Sequence, residues 1–423
     1  MRGGGELPAT AQGSMTTIGS TRRTRNLSVG HLGVGQRAGR RVACNSPGPA
    51  RAARALASGE PARVPSDAEG SGMAKARIGV IGTGWWATEA HMPGVLSHDD
   101  AELVAACDPD ATRLAAAAQA YGVANTYVDY ETMLDRETLD AAIVVTPHAT
   151  HYDITRTCLK RGLHVLVEKP MTLRADHARS LVELAAEQQR ELLVGYPYHY
   201  LAQNVRAHEV LQSNELGEIQ YVTCSYSTNV REFLAGRVGP DHSPVSEYRV
   251  HGPGAAYNRP ELLGGGQGHL QITHSAALMF YVTGLRASKV HAVMRNHSLA
   301  VDLVDVYSVA FEGCAIGMVG GTGNAGTNHR LALAIYCESG CIVMDTLAGV
   351  AQVRRHDGTV EALASGAQSD RYATTRNFID AVLGRAPNGS PGEVGWRTVE
   401  LLDAAYRSAA GGGAGVDIAA LYR

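Results

Sequence analysis

Nowhere in the sequence does an uninterrupted apolar run approach the length needed to cross a bilayer. There is no marked excess of charge either: 423 residues carry a net charge of −3, with acids and bases well mixed beyond the first segment. That balance gives no reason to invoke nucleic acid. The seven cysteines show no paired metal spacing. Cys337 and Cys341 stand four apart, but no further cysteine or histidine is in register, so they read as ordinary strand residues. Scattered cysteines with mostly apolar neighbours fit a reducing, cytoplasmic setting. These absences leave a protein that neither spans a membrane nor binds nucleic acid, long enough for two or three domains.

Lysine is missing altogether from Met1 to Gly72, a stretch rich in Gly, Ala, Ser, Pro and Arg. The stretch shows neither helical nor strand periodicity and cannot bury enough surface to order itself. Arg22–Arg23 suggests twin-arginine export, but no apolar region follows; the Arg-rich composition also suggests a transit peptide. Residues 1–72 are read either as disordered or as an over-extended start, in which case Met73 is the first residue.

The chain is organised around Arg77–Val80, Ile81–Gly82–Thr83–Gly84 and Trp85–Trp86–Ala87. This is a buried strand that turns on glycines and enters a helix, so its backbone can approach a phosphate at the helix N-terminus. Ala87 takes the third small position, where helix and strand pack closely. The next strand, Glu102–Cys107, ends at Asp108, roughly 20 to 30 residues past the glycines, where a carboxylate can hold ribose hydroxyls. Helix Ala111–Tyr121 stops at Gly122, and a short helix follows over Tyr130–Asp135. Strand Ala141–Val145 ends at Thr146–Pro147, and a helix runs from His151 to Lys160. Strand His164–Val167 ends at Glu168–Lys169–Pro170; helix Ala175–Gln189 and strand Leu192–Val194 close the set. Strands separated by such helices predict a doubly wound parallel sheet, with ligands at the carboxyl ends of the strands. The glycine turn, Asp108, Thr146–Pro147 and Glu168–Lys169 all fall on that edge.

Four stretches together resemble the Gfo/Idh/MocA oxidoreductases, named for glucose–fructose oxidoreductase and inositol dehydrogenase. They are the glycine turn, Thr146–His151, His164–Pro170, and Gly264–Gly265–Gly266 with His274 eight residues on. The resemblance runs from about Ala74 to the C-terminus. It implies an α/β fold: a Rossmann domain (73–194) binding NAD or NADP, then an α/β domain (195–423) with an open, mainly antiparallel sheet. One face of that sheet is expected to carry a sugar or cyclitol substrate and the other a subunit contact in a homo-oligomer, dimer or tetramer.

Oxidising a secondary alcohol needs a base for the hydroxyl proton and an acceptor for hydride. Lys169 sits where a cation polarises the reacting oxygen or tunes a neighbouring base, and the Lys169–Pro170 bond is a candidate cis peptide. By resemblance Lys169 is a catalytic lysine, with Glu168 nearer the cofactor ribose. His274 is the candidate general acid/base. Many relatives carry aspartate four residues before it, where this chain has Leu270. If Gln267–Leu278 is one helix, Gln271 and Gln267 share the histidine's face and can orient substrate or imidazole. His269 then lies roughly 140° around, a poorer substitute. Thr146, Pro147 and His148 are expected to line the cofactor, with Gly82, Thr83 and Gly84. His148 and His151, three apart, lack a third ligand in register, and no metal is expected. Trp85 and Trp86 either pack the dinucleotide or anchor the helix.

Past Tyr196, the tyrosines and histidine of Tyr196–Tyr200 suit hydroxyl-rich ligands or an ordinary half-buried strand. Strands are expected over Ile219–Ser227, Ser288–Met294, Val304–Phe311, Arg330–Cys337 and Cys341–Asp345, with Arg231–Pro260 a long loop over the site. Gly320–Gly326 reads as a second glycine-rich loop. The expected activity is hydride transfer between a nicotinamide and a secondary hydroxyl of a sugar, cyclitol or derivative. Asp108 favours NAD because a carboxylate repels a 2′-phosphate, although Arg113 offers such a phosphate a partner. Two rivals remain: a lyase or glycosidase that retains NAD through transient oxidation, and a non-catalytic cofactor-binding regulator.

Overall fold

The computed structural model describes residues 75–237, 248–250, 252, 255–364 and 370–423. The expectations for Met1–Gly72 and for part of the Arg231–Pro260 loop lie outside them. The first half alternates strand and helix: β1 (Ala76–Ile81), α1 (Met92–Leu96), β2 (Ala101–Cys107), α2 (Ala111–Tyr121), β3 (Asn125–Tyr127), α3 (Tyr130–Arg136), β4 (Ala141–Val144), α4 (His151–Lys160), β5 (His164–Val167), α5 (Ala175–Glu187) and β6 (Leu192–Val194). The six strands form one sheet in the order β3-β2-β1-β4-β5-β6, parallel at every pairing. Helices cover both faces, which is why β4 and β5 are continuous apolar runs. The strand order reverses between β1 and β4, and that is where a doubly wound sheet opens a crevice.

Local chemistry accounts for the boundaries. Asp110 caps α2 by accepting hydrogen bonds from the Thr112 and Arg113 N–H groups, and Gly122 ends the helix in the left-handed region. Asp129 caps α3 in the same way. The short edge strand β3 has no apolar pattern of its own to announce it.

The second half contains α6 (Ala202–Gln212), β7 (Ile219–Ser227), α7 (Arg231–Leu234), α8 (Pro260–Leu263), α9 (Thr273–Thr283), β8 (Ala287–Arg295), β9 (Val304–Phe311), β10 (Ile316–Thr322), β11 (Arg330–Cys337), β12 (Gly340–Asp345), β13 (Val350–Arg355), β14 (Val360–Ala362), α10 (Ala373–Val382), α11 (Gly392–Ala410) and β15 (Val416–Asp417). A nine-stranded sheet runs β14-β13-β12-β11-β7-β10-β9-β8-β15, antiparallel except where β10 meets β7. Gly320 and Gly321 belong to β10, not to a loop. The neighbouring strands come so close that a Cβ on Gly321 would stand 2.0 Å from the Tyr226 carbonyl oxygen. Glycine in this strand answers close backbone approach, so the expected loop over Gly320–Gly326 is corrected to strand as far as Thr322 and holds beyond it. Cys337 ends β11 and Cys341 lies in β12, both as strand residues.

One core joins the two sheets. Met171 and Tyr196 pack in the same apolar cluster as Ile272, Leu278 and Leu402. Helix α11 lies against α5 on one side and against α9 and β8 on the other. The chain also returns to the first sheet late: Phe378 and Ile379 of α10 fill a cluster with Ile78 and Val80, and Ser390 bonds Val194.

Candidate active site

The four polar features expected at strand ends meet at one edge of the parallel sheet. After β1 the backbone turns at Gly82, whose φ of +93° and distance of 2.4 Å from a Cβ to the Val145 carbonyl oxygen leave no room for a side chain. Nothing stands within 4 Å of a Cβ on Gly84. This exposed backbone before a helix is the cradle that a pyrophosphate requires, so the turn fits a dinucleotide. Thr83 is buried, and its N–H and hydroxyl both donate to Asp108, at 2.9 and 3.1 Å.

Asp108 is otherwise engaged as well. It accepts from the Asp110 N–H at 2.9 Å and takes a two-pronged contact from Arg113 at 2.9 and 2.7 Å. Burial alone would raise its carboxyl; the Arg113 guanidinium and the N–H groups of Thr83 and Asp110 outweigh that and hold it below the usual range. The more exposed charged group of this pair is Arg113, at 39% of its side chain against 3% for Asp108.

Trp85 stacks on Phe233 with ring centroids 6.2 Å apart and meets Trp86 and Tyr248 edge-on at 5.7 and 5.6 Å. It therefore ties the segment after the glycine turn to the second half of the chain. Thr146 accepts a hydroxyl bond from Thr150 at 2.8 Å, and Pro147 leads into a single helical turn over His148–Thr150. His148 is buried with Nδ1 3.0 Å from the Leu263 carbonyl oxygen. Burial first, then the nearby charges of His151 and Lys169, push its imidazole well below the ordinary value. His151 spans two strand-end loops: Nδ1 lies 2.8 Å from the Pro170 oxygen and Nε2 2.8 Å from the Thr146 oxygen. Among the described residues no group of three His, Cys, Asp or Glu is placed to hold a metal ion.

Glu168 turns inward. Its Oε1 lies 3.0 Å from His91 Nε2, whose Nδ1 is 2.9 Å from the Thr375 hydroxyl. Its Oε2 accepts the Lys169 N–H at 3.1 Å. Burial raises the Glu168 carboxyl, but the His91 contact and the Lys169 charge prevail and hold it below the usual range. The carboxylate is thus committed within the protein.

Lys169, joined to Pro170 by a cis peptide bond, reaches across to the second half: its Nζ donates to the Leu270 carbonyl oxygen at 3.0 Å. Burial lowers its pKa from the ordinary 10.5, opposed by Glu168. Leu270 lies in a π-helical turn, Gly268–Ile272, that leads into α9. The expectation of one uninterrupted α-helix over Gln267–Leu278 is therefore corrected, because the wider turn rotates the residues before His274. Gln267 is buried, with its amide donating to the Tyr226 carbonyl oxygen at 3.1 Å; it serves β7 rather than the imidazole. Gln271 stays partly exposed on the π turn. His269 is buried with its ring stacked on Tyr406 at 4.3 Å.

His274 sits in a collar of aromatic rings, edge-on to Tyr198 at 5.6 Å, Tyr196 at 6.1 Å and Tyr226 at 6.4 Å. The Tyr198 and Tyr226 hydroxyls share a 2.8 Å hydrogen bond. Burial first, then the Lys169 charge and His199, push the His274 imidazole well below its ordinary 6.5. At neutral pH it is uncharged and able to accept a proton.

Residues 76–196 match the oxidoreductase family with an NAD-binding Rossmann fold, and residues 204–343 match the Gfo/Idh/MocA C-terminal domain. The chain belongs to the Gfo/Idh/MocA oxidoreductase family. It is 32% identical over 165 residues to D-xylose 1-dehydrogenase (NADP(+)) 2 of Haloferax volcanii, covering 39% of this chain and 50% of that one. It is 31% identical over 147 residues to D-glucoside 3-dehydrogenase of Escherichia coli K12, covering 35% and 42%. The matched part thus spans about half the length of these relatives or less. An oxidoreductase domain protein from Kribbella flavida shares the fold, with a TM-score of 0.69 at 20% identity over 82% of this chain and 100% of that one. The Gfo/Idh/MocA assignment agrees with the architecture above: a parallel Rossmann sheet followed by a largely antiparallel one.

His91 and Thr375 escape a reading of the sequence. They lie 77 residues before Glu168 and 284 residues after His91 respectively, and neither stands in a motif that points to the strand edge. Asp302, whose carboxylate accepts the Gly266 and Gly268 N–H groups just before the π turn, escapes it for the same reason. The carbonyl of Leu270 is missed because side-chain patterns do not speak for backbone acceptors.

Proposed function

We propose that the protein is an NAD(P)-dependent oxidoreductase that moves hydride between a nicotinamide and a secondary hydroxyl of a sugar, cyclitol or derivative. The observation that carries this reading is the Lys169 ammonium bonded to the Leu270 carbonyl, with its charge acting on a neutral, aromatic-collared His274. In the oxidation direction Lys169 holds the substrate oxygen by a charge-assisted hydrogen bond. His274 takes the hydroxyl proton as the carbon–oxygen bond acquires double-bond character. The bound nicotinamide supplies the acceptor for hydride. Leu270 in place of an aspartate leaves no second carboxylate at this point, so the proton goes to the imidazole. Gln271, beside them on the π turn, orients substrate through its amide. The tyrosine collar presents ring faces and hydroxyls to a polyol.

Gly82, Thr83, Gly84, Trp85 and Trp86 hold the pyrophosphate end, while Thr146, Pro147 and His148 border the nicotinamide end. Glu168 contributes by fixing the loop that carries Lys169. The test is a panel of sugars and cyclitols with NAD or NADP, followed by reduced-cofactor absorbance. Substrate-dependent formation of reduced cofactor supports the reading. Turnover of a glycoside with no net reduction would favour the NAD-retaining lyase or glycosidase, and binding without turnover a regulator.

Cofactor choice rests on Asp108 and Arg113. Arg113 occupies the carboxylate that would otherwise repel a 2′-phosphate, so both NAD and NADP are accepted. Arg113→Ala frees Asp108 and is expected to shift the kcat/KM ratio towards NAD by roughly tenfold, the order of one charge-assisted hydrogen bond. Steady-state kinetics with both cofactors check this; an unchanged ratio would remove Arg113 from the cofactor edge.

The outer face of the nine-stranded sheet carries the subunit contact, with a second copy of the chain as occupant. Val293, Val306, Ile316, Met318 and Tyr336 are each at least 43% exposed there, and Val293 pairs directly with Val306. A flat apolar patch of this kind is self-complementary about a two-fold axis. Met318→Lys is expected to shift the sedimentation coefficient to that of a monomer, and a native coefficient unaffected by it would place the contact elsewhere. A cytoplasmic setting belongs to the same reading.

A further inference from the structure

Behind the π turn lies a buried acidic residue that touches neither the strand edge nor the tyrosine collar. Asp302, 5% exposed, precedes β9. Its Oδ1 accepts the Gly266 N–H at 2.7 Å and the Tyr406 hydroxyl at 2.9 Å, and its Oδ2 accepts the Gly268 N–H at 2.8 Å. Its own carbonyl oxygen accepts the Gln267 N–H at 2.9 Å. Three successive peptide N–H groups are thus held by one residue. The approach is close enough that a Cβ on Gly266 would stand 2.0 Å from the Asp302 carbonyl oxygen. The next steps follow the backbone: the Leu270 N–H donates to the Gly266 carbonyl at 2.8 Å, and the Leu270 carbonyl receives Lys169 Nζ.

We propose that Asp302 is the positioning residue for Lys169: by holding Gly266–Gly268 it sets the Leu270 carbonyl that receives the ammonium. This rests on the reading of Lys169 as the group at the reacting oxygen. Asp305, fully buried, has its carboxyl pushed up to about 9 by burial and by the charge of Asp302, with the Tyr307 hydroxyl 3.1 Å from Oδ2. Near neutral pH it is an uncharged neighbour that hydrogen-bonds Asp302 rather than repelling it. His269, stacked on Tyr406, packs the hydroxyl that completes the contact. This accounts for glycine at 265, 266 and 268: a Cβ there would meet the Tyr406 hydroxyl or the Asp302 carbonyl oxygen, so small residues let this segment close onto Asp302 and Tyr406.

A merely structural aspartate would affect stability alone, so the test reads the lysine. Lys169 is labelled with acetic anhydride in the full-length protein across a pH series and quantified by mass spectrometry, without substrate or turnover. Its charge is also felt by Glu168, His148, His151 and His274, none of which is altered. In Asp302→Asn the ammonium loses its fixed acceptor, the free amine becomes more populated, and labelling at neutral pH rises by about tenfold. Binding of NADH stays within about twofold. Tyr406→Phe removes one donor and should move labelling the same way by a smaller factor, so the test stands even if the first variant does not fold.

Turnover then supplies a second measure: Asp302→Asn lowers kcat far more than it raises KM, and adds little to the loss already caused by Lys169→Met. Wild-type labelling in every folded variant, or fully additive losses in the double variant, would overturn the proposal. A shifted labelling profile in a protein without cofactor-linked turnover would instead leave it standing and refute the oxidoreductase reading.

Discussion

Lys169→Met is expected to lower kcat by about 10³-fold while NADH binding changes by no more than a few-fold. Methionine keeps the length of the side chain and removes both its charge and its donors. The expectation follows from where the ammonium sits. It crosses from the Rossmann half to the π turn, bonds one fixed carbonyl at 3.0 Å, and keeps further N–H groups for a substrate oxygen. In a partly desolvated site such a bond discriminates strongly between a neutral hydroxyl and the charge that develops as its proton leaves. Stopped-flow and steady-state kinetics at saturating cofactor separate this from weakened binding. A kcat within about threefold of the wild type would place the lysine outside the chemistry.

The second large effect concerns His274. Its imidazole works as a base only when uncharged, and burial with the Lys169 charge has pushed its pKa well below 6.5. As pH falls, oxidation is therefore maintained through 6.5 and lost only when the pH drops through the depressed value. At the other end Lys169 must remain charged, and because its pKa is lowered from 10.5 the alkaline limb falls below that value. His274→Ala is expected to reduce kcat by about 10²–10³-fold and to abolish the acid limb. The kcat/KM profile of both proteins is the measurement. An acid limb at or above 6.5, or one that survives the substitution, would assign the proton to another group.

Much of this site was legible because strand ends declare themselves. Apolar runs ending at Asp108, at Thr146–Pro147 and at Glu168–Lys169 required only that the strands be parallel for their ends to meet, and they are. What stayed hidden depends on backbone or on distant partners. Leu270 looked like a missing carboxylate, yet its carbonyl is the acceptor for Lys169, and a side-chain pattern cannot show that. The π turn at Gly268–Ile272 altered which residues share a face with His274, since helical periodicity assumes 3.6 residues per turn. The contact of Glu168 with His91, itself bonded to Thr375, comes from segments far away in the chain that no motif announces. Gly320 and Gly321 suggested a loop because local propensity cannot register how closely β7 and β9 flank them.

The partners of Asp108 stayed hidden for a similar reason. As the terminal acid of β2 it suggested an open carboxylate, whereas Thr83, Asp110 and Arg113 together fill both of its oxygens. Position along a strand was readable; saturation by neighbours was not.

Hydride transfer from a carbinol is the central claim, and isotope transfer tests it most directly. The substrate found in the sugar and cyclitol panel is deuterated at its reacting carbinol carbon, turned over with oxidised cofactor, and the reduced cofactor is analysed by mass spectrometry and proton NMR. One deuterium at the nicotinamide C4 position is the predicted result. Reduced cofactor without the label, or product formation with the label retained on the substrate carbon, would contradict it.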